Sequence, residues 1–351
     1  MTEHGWRLAD LESVTPNGCR VFSTFACGGG STMGYKLAGF SVVGANDIDP
    51  EMAEVYKANH KPEHYYLKPI GDLVEQFRRE GVPDHLRSLD ILDGSPPCSS
   101  FSTAGTREKD WGREKKFREG QSCQVLDDLF FEYLDLVEIL QPRTFVAENV
   151  AGILAGKAKG YAKQIVKKAR DIGYAVQVFK FDATTCGVPQ SRQRVFFVGT
   201  REQRPPLVFQ PKRKAIPLCD AFKGLENSPE DLRAAAIGKN TDTLKLWRAV
   251  KPGRPLKDAH PKGQFFTFRR ARHDWPSCTV VAYYGGQLHW DEPRRFTWKE
   301  LFRIGSFPDD YDLREPNRKK WNLKGCYLVG MSVPPFMVRD LSTAIYDQWL
   351  A

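Results

Sequence analysis

Short apolar runs alternate with amphipathic stretches through the first two hundred residues. The runs are CRVFSTFA (19–26), SVVGAND (41–47), LDILDG (89–94), TFVAEN (144–149), AVQVFKF (175–181) and RVFFVGT (194–200). Their β-branched and aromatic content is that of buried strands. Between them PEMAEVYKANH (50–60), VLDDLFFEYLDLVEILQ (125–141) and YAKQIVKKARDIG (161–173) carry helical spacing, the last stopped by Gly173. Strands alternating with helices predict an α/β fold with a doubly wound, mostly parallel, Rossmann-like sheet. From Arg204 the pattern gives way to the irregular RPPLVFQPKRKAIP, which predicts a second, smaller, irregular and basic domain. The expected division is 1–204 for the first domain and 205–324 for the second. A helical period returns in VPPFMVRDLSTAIYDQWL, so about 325–351 is expected to complete the first domain.

Charge sharpens this division. The chain of 351 residues carries a formal net charge of +9. Residues 1–199 hold 25 Lys and Arg against 26 Asp and Glu, and residues 200–351 hold 27 against 17. The whole positive excess therefore lies in the second part. Its clusters are Lys212-Arg213-Lys214, Arg269-Arg270-Ala271-Arg272, Arg294-Arg295 and Arg318-Lys319-Lys320, with Phe265, Phe266, Phe268, Trp275 and Trp290 near them. A basic region studded with aromatics suits a polyanion, because each neutralised phosphate releases counterions. The competing reading is a solvated basic face that only keeps the protein soluble.

Mean hydropathy is −0.47, and no apolar stretch approaches the length of a membrane span, so the chain reads as soluble and cytoplasmic with no membrane partner. The eight cysteines are scattered, with no CxxC pair and no His/Cys cluster at zinc spacing, so reduced thiols and no metal are expected. One of them stands apart. In DGSPPCSSFS (93–102) two prolines stiffen the approach to Cys98 directly after a strand. That position lies past the carboxyl end of a strand, where open α/β sheets bind ligands.

The first strand runs into FACGGGSTMG, and the second ends in NDID. Glycines let a ligand approach the backbone where a helix begins, and Asp47 at the end of the second strand can bind ribose hydroxyls. The glycine spacing misses the dinucleotide fingerprint GxGxxG by one residue, which disfavours a nicotinamide cofactor and an oxidoreductase. S-adenosylmethionine offers a ribose diol without a pyrophosphate.

Taken in order, FACGGG, NDIDPE, GDL (71–73), GSPPCSSFS, AENV (147–150), GVPQSRQRVFFVG (187–199) and VGMSVPP (329–335) resemble the ordered motifs of the DNA (cytosine-5) methyltransferases. The resemblance covers the chain except about 205–265. It implies a catalytic domain that binds S-adenosylmethionine and a basic domain that recognises a sequence in double-stranded DNA. It also implies a monomer of the bacterial or phage restriction-modification type, whose cognate restriction endonuclease is a genetic rather than a physical partner.

Carried over position by position, Phe25, Ala26, Cys27, Gly28 and Gly30 would line the methionine end of the cofactor. Asp47 would bind its ribose, Ile48 would pack on adenine, and Asp72 and Leu73 would meet the amino edge. Pro97, Leu129 and Ser332 would close the site. Cys98 would add to carbon 6 of a flipped-out cytosine, because carbon 5 is too weak a nucleophile until a thiolate has added. Glu148 would hydrogen-bond ring nitrogen 3, and Arg192 and Arg194 would steady the carbonyl oxygen and the loop. The segment 103–122, with six basic and four acidic residues, is expected to form a lid on the DNA. GQFFTFRRARHDWPSCTV resembles the family's ninth motif, which supports the second domain and makes its arginines partly structural. Two departures touch the cofactor site: Cys27 stands at the family's first glycine, and Met331 at its usual asparagine. RNA cytosine methylation, or a catalytically silent DNA-binding regulator, are the alternative readings.

Overall fold

The computed structural model describes residues 5–97, 128–156, 158–239, 241–264, 268–282, 286–317 and 320–351, with the short paired strands Glu114–Lys115 and Gln124–Val125. Cys98, the rest of the expected lid at 103–122, Phe265, Phe266, Arg318 and Lys319 lie outside the described residues.

The chain divides into two compact units. One comprises Val14–Phe181, Gln193–Pro211 and Val338–Ala351; the other comprises Met1–Ser13, Asp182–Arg192 and Lys212–Met337. The sequence reading had placed these crossings near residue 204 and near 325.

The first unit is built on a seven-stranded sheet. In chain order its elements are β1 (Arg20–Thr24), α1 (Gly30–Leu37), β2 (Ser41–Asp47), α2 (Pro50–His60), β3 (Tyr65–Leu67), α3 (Ile70–Glu80), β4 (Ile91–Gly94), α4 (Leu129–Leu140), β5 (Thr144–Val150), α5 (Ala158–Asp171), β6 (Ala175–Asp182) and β7 (Gln193–Thr200). The strand order is β3-β2-β1-β4-β5-β7-β6. The β1–β2, β2–β3, β1–β4 and β4–β5 pairs are parallel, and β5–β7 is antiparallel. The fold is thus a mostly parallel, doubly wound α/β sheet.

Local chemistry explains these elements. Helix α2 starts where the Asp49 side chain accepts from the amides of Glu51 and Met52, with Pro50 next in line, and it ends at Lys61 in the left-handed region. Val21, Phe22, Ile91, Leu92, Phe145, Val146, Val195 and Phe197 are buried. They make the apolar runs of central strands covered on both faces. The core closes with Leu73, Leu129, Tyr133, Leu134 and Val137 from α3 and α4. The chain's last residues also belong here: Trp349 donates to Pro205 O at 2.9 Å, and Tyr346 meets Phe40 edge to face.

The second unit has little regular structure and is held by buried polar clamps. Ser228 with Asp231, and Thr297 with Glu300, form capping boxes at Pro229–Ala235 and Trp298–Ile304. Arg294, from one of the predicted DNA-facing clusters, is instead enclosed and paired with Glu300 at 2.7 and 2.9 Å. Arg270, from another, stacks on Trp247 at 4.0 Å and donates to the carbonyls of Trp247, Val250 and Trp290. Arg303 grips Asp309 and the Ala221 carbonyl. These arginines hold an irregular fold together and are not available to phosphate.

Candidate active site

The strand order reverses direction between β1 and β4, with β2 and β3 to one side and β5 onward to the other. Loops leaving neighbouring strands at such a switch point turn apart and leave a crevice at their carboxyl ends. In register, Thr24 lies beside both Asn46 and Gly94, and Gly94 beside Ala147. The carboxyl ends of β2, β1, β4 and β5 therefore present Asp47, Phe25, Ser95 and Glu148 along one edge.

The loop after β1 is tightly wound. Phe25 (φ 51°), Cys27 (φ 46°) and Gly29 (φ 92°) all adopt left-handed backbone, and Gly29 caps α1. This conformation explains the family's preference for glycine at the position Cys27 fills, since a side chain there is strained. Two hydrogen bonds fix the loop to β2. The Cys27 amide donates to Asp47 Oδ2 at 2.6 Å, and the Ala26 amide to Asn46 O at 3.0 Å. The Asp49 amide donates to Asp47 Oδ1 at 2.8 Å. Burial pushes the Asp47 carboxyl up to about 6, against the pull of those amides. The Ile48 amide donates to it as well, so the carboxylate accepts three amides and keeps capacity for a further donor, which fits a ribose hydroxyl.

Other expected cofactor positions fall into place unevenly. Ile48 is half-buried beside Asp47, and Asp72 is exposed in the first turn of α3. Leu73 and Leu129 are core, 0% and 1% exposed. Ser332 belongs to the second unit, where its Oγ is buried without a hydrogen-bond partner. Met331 is 41% exposed at the end of the helix Trp321–Met331.

After β4 the chain passes Gly94, where an added Cβ would meet the Tyr133 ring at 2.4 Å and Thr24 Oγ1 at 2.8 Å. Only glycine admits that approach. Asn149 Nδ2 then donates to Pro96 O at 3.1 Å, pinning the Pro-Pro turn to the end of β5. The described chain reaches Pro97, one residue before Cys98. One residue before Asn149, Glu148 Oε1 accepts from Arg194 Nε at 2.7 Å across the β5–β7 pair, both side chains 12% exposed. Glu148 and Arg194 are thus brought together; Arg192 belongs to the second unit. It is 3% exposed and donates to Gly330 O at 2.7 Å and Val280 O at 3.3 Å.

Sequence reasoning missed Asp93. It sits in β4, 3% exposed, and accepts from Ser23 Oγ at 2.9 Å and Tyr35 Oη at 3.2 Å. A carboxylate inside an otherwise apolar central strand was the available signal.

A family model described as C-5 cytosine-specific DNA methylase matches residues 19–347. The chain belongs to that family. Among relatives of this methyltransferase, the Type II methyltransferase M.FnuDI of Fusobacterium nucleatum is 34% identical, with 90% of each chain covered. M.NgoFVII of Neisseria gonorrhoeae, another Type II methyltransferase, is 28% identical over 97% of this chain and 89% of its own. A prophage-encoded DNA modification methyltransferase of E. coli superposes with a TM-score of 0.71 at 20% identity, over 95% of this chain and 100% of that one. The protein is accordingly a DNA cytosine-5 methyltransferase of restriction-modification type. Among the described residues, none of its helices is long and apolar enough to cross a membrane, and no His, Cys, Asp and Glu cluster could hold a metal ion.

Proposed function

We propose that this enzyme methylates carbon 5 of a cytosine flipped out of a specific duplex DNA sequence, through a covalent adduct on Cys98, with S-adenosylmethionine as the methyl donor. The observation that carries the reading is the alignment of the Phe25–Gly30 loop, Asp47, the Pro96–Pro97 turn and the Glu148–Arg194 pair along one sheet edge. When bound, S-adenosylmethionine supplies an electrophilic methyl group on a sulfonium sulfur. The Phe25–Gly30 loop would hold its methionine end, Asp47 its ribose and Ile48 its adenine. At Leu73 and Leu129, which are core, contact is left to main-chain atoms.

The chain's own groups handle the base. The prolines and the Asn149 clamp limit where Cys98 can go, which favours attack in line with carbon 6. As the thiolate adds, negative charge grows on ring nitrogen 3, where Glu148 supplies a proton or hydrogen bond. Arg194 holds Oε1 of Glu148 and so orients the carboxyl toward the base. Carbon 5 then accepts the methyl group; its proton passes to water, the electron pair left behind re-forms the double bond to carbon 6 and expels the thiolate, and nitrogen 3 returns its proton to Glu148.

The second unit would supply the basic surface for DNA, with Lys212, Lys214 and Arg272 among the exposed cations. The cytoplasm, a monomeric state and a cognate endonuclease encoded nearby complete the reading. Incubating the enzyme with duplex DNA and methyl-labelled S-adenosylmethionine, then mapping labelled cytosines, is expected to show 5-methylcytosine at one short sequence. Equal or better methylation of a structured RNA would overturn it.

A further inference from the structure

Asp93 has no part in the scheme above, yet it is the most enclosed carboxylate of the sheet unit. It lies five residues before Cys98 on the strand that delivers the thiol. Ser23 from β1 and Tyr35 and Ser31 from α1 all donate to it. The remaining ionisable groups that act on it are Tyr133 of α4, Tyr56 of α2 and Glu148 of β5. None is a cation, and among the described residues Asp93 has no ion-pair partner. A carboxylate enclosed without a counter-charge is expensive, and an aliphatic residue would fit a central parallel strand better. Local rules broken at a cost to stability mark functional positions.

The geometry says what the cost secures. Ser31 is the second residue of α1, directly after the Cys27–Gly30 turn, and Tyr35 lies one helical turn further on. A charged Asp93 accepts from three hydroxyls, tying the turn and the first part of α1 to the strand that leads to Cys98. Protonated, it loses its charge and one oxygen becomes a donor, so the three hydroxyls are held less strongly.

We propose that Asp93 is a positioning residue for methyl transfer, whose ionised form locks the cofactor turn to the strand that carries the catalytic thiol. This rests on the proposed use of S-adenosylmethionine and Cys98. Burial holds the Asp93 carboxyl at about 7, so the lock is set and released within the working pH range. Asp47 titrates at about 6, so pH 6.5 to 8 lies mostly above its range and spans that of Asp93, and the Asp93→Asn profile tells the two apart.

The test compares the full-length enzyme with Asp93→Asn and Tyr35→Phe, by calorimetric titration of S-adenosylmethionine and by thermal unfolding from pH 6.5 to 8. For the unaltered enzyme, cofactor affinity is expected to rise severalfold across the window. Asp93→Asn should bind about tenfold more weakly at pH 8, with a flat profile, while unfolding at a higher temperature than the unaltered enzyme at that pH. Tyr35→Phe should keep the slope and shift it to higher pH, because one donor to the charged form is gone. Asp93→Asn matching the unaltered enzyme in affinity and slope would overturn the proposal alone. No binding of S-adenosylmethionine by the unaltered enzyme would overturn the functional reading and the proposal together.

Discussion

In the sheet unit Asp47 and Asp93 are enclosed carboxylates served by amides and hydroxyls, with no ion-pair partner among the described residues. In the second unit three guanidiniums, two enclosed and one half-buried, are each answered: Arg294 by Glu300 and Glu292, Arg303 by Asp309, Arg270 by three carbonyls and the Trp247 ring. The first arrangement leaves charge available and titratable. The second uses charge up in holding an irregular chain. A fold with a large apolar core can carry uncompensated carboxylates at its working edge, whereas a loop-rich one needs clamps.

The comparison can be broken most severely at a clamp. Glu300→Leu removes a buried partner of Arg294 and the return arm of a capping box, so a loss of about 3–5 kcal/mol is expected in denaturant unfolding. A loss under about 1 kcal/mol would mean that these pairs are ornamental. At the working edge the opposite balance is expected. Glu148→Gln should lower the methylation rate by about a hundredfold or more, the usual range for a lost general acid, with little change in unfolding temperature.

Stability should also depend on pH in the direction set by the carboxylates. Folded-state values near 7 for Asp93 and 6 for Asp47 lie above the unfolded value of 3.8. Their contribution is therefore fully present below about pH 4 and is lost as pH rises through 6 and 7. At about 1.4 kcal/mol per unit the two groups together account for a few kcal/mol, readable as falling stability from pH 5 to 8 that Asp93→Asn flattens. The smallest effect belongs to Cys27→Gly. Relief of the left-handed strain, less the greater freedom of the unfolded chain, should leave a change within about 1 kcal/mol, measurable by thermal unfolding.

The six strand-like runs were legible because central strands of a parallel sheet are apolar throughout and need no partner to be recognised. β3 was not, since Tyr65–Leu67 is only three residues long and all of them keep some exposure. The span 125–141 was read as one helix, but Gln124–Val125 is a strand and α4 begins at Leu129. At the site, Asp47, Glu148 and Arg194 were expected from their motifs, which record chemistry at fixed spacing. Arg192 precedes the first residue of β7, where strand periodicity says nothing about direction. Asp93 was passed over because LDILDG reads as a strand whether its second position from the end is in or out. Arg270 lies in the segment whose arginines were expected to be partly structural, but the clamps at Arg294 and Arg303 were not legible, because basic residues in a sequence show charge but not the carbonyl or carboxylate that meets it.

The covalent step is tested most directly with duplex DNA carrying 5-fluorocytosine at the mapped target, in the presence of S-adenosylmethionine. Fluorine cannot leave carbon 5 as a proton does, so the account predicts a denaturation-resistant protein–DNA complex whose attachment maps to Cys98. Cys98→Ala should abolish both the complex and methylation while keeping cofactor binding. A Cys98→Ala enzyme that still methylated DNA at an undiminished rate would contradict it.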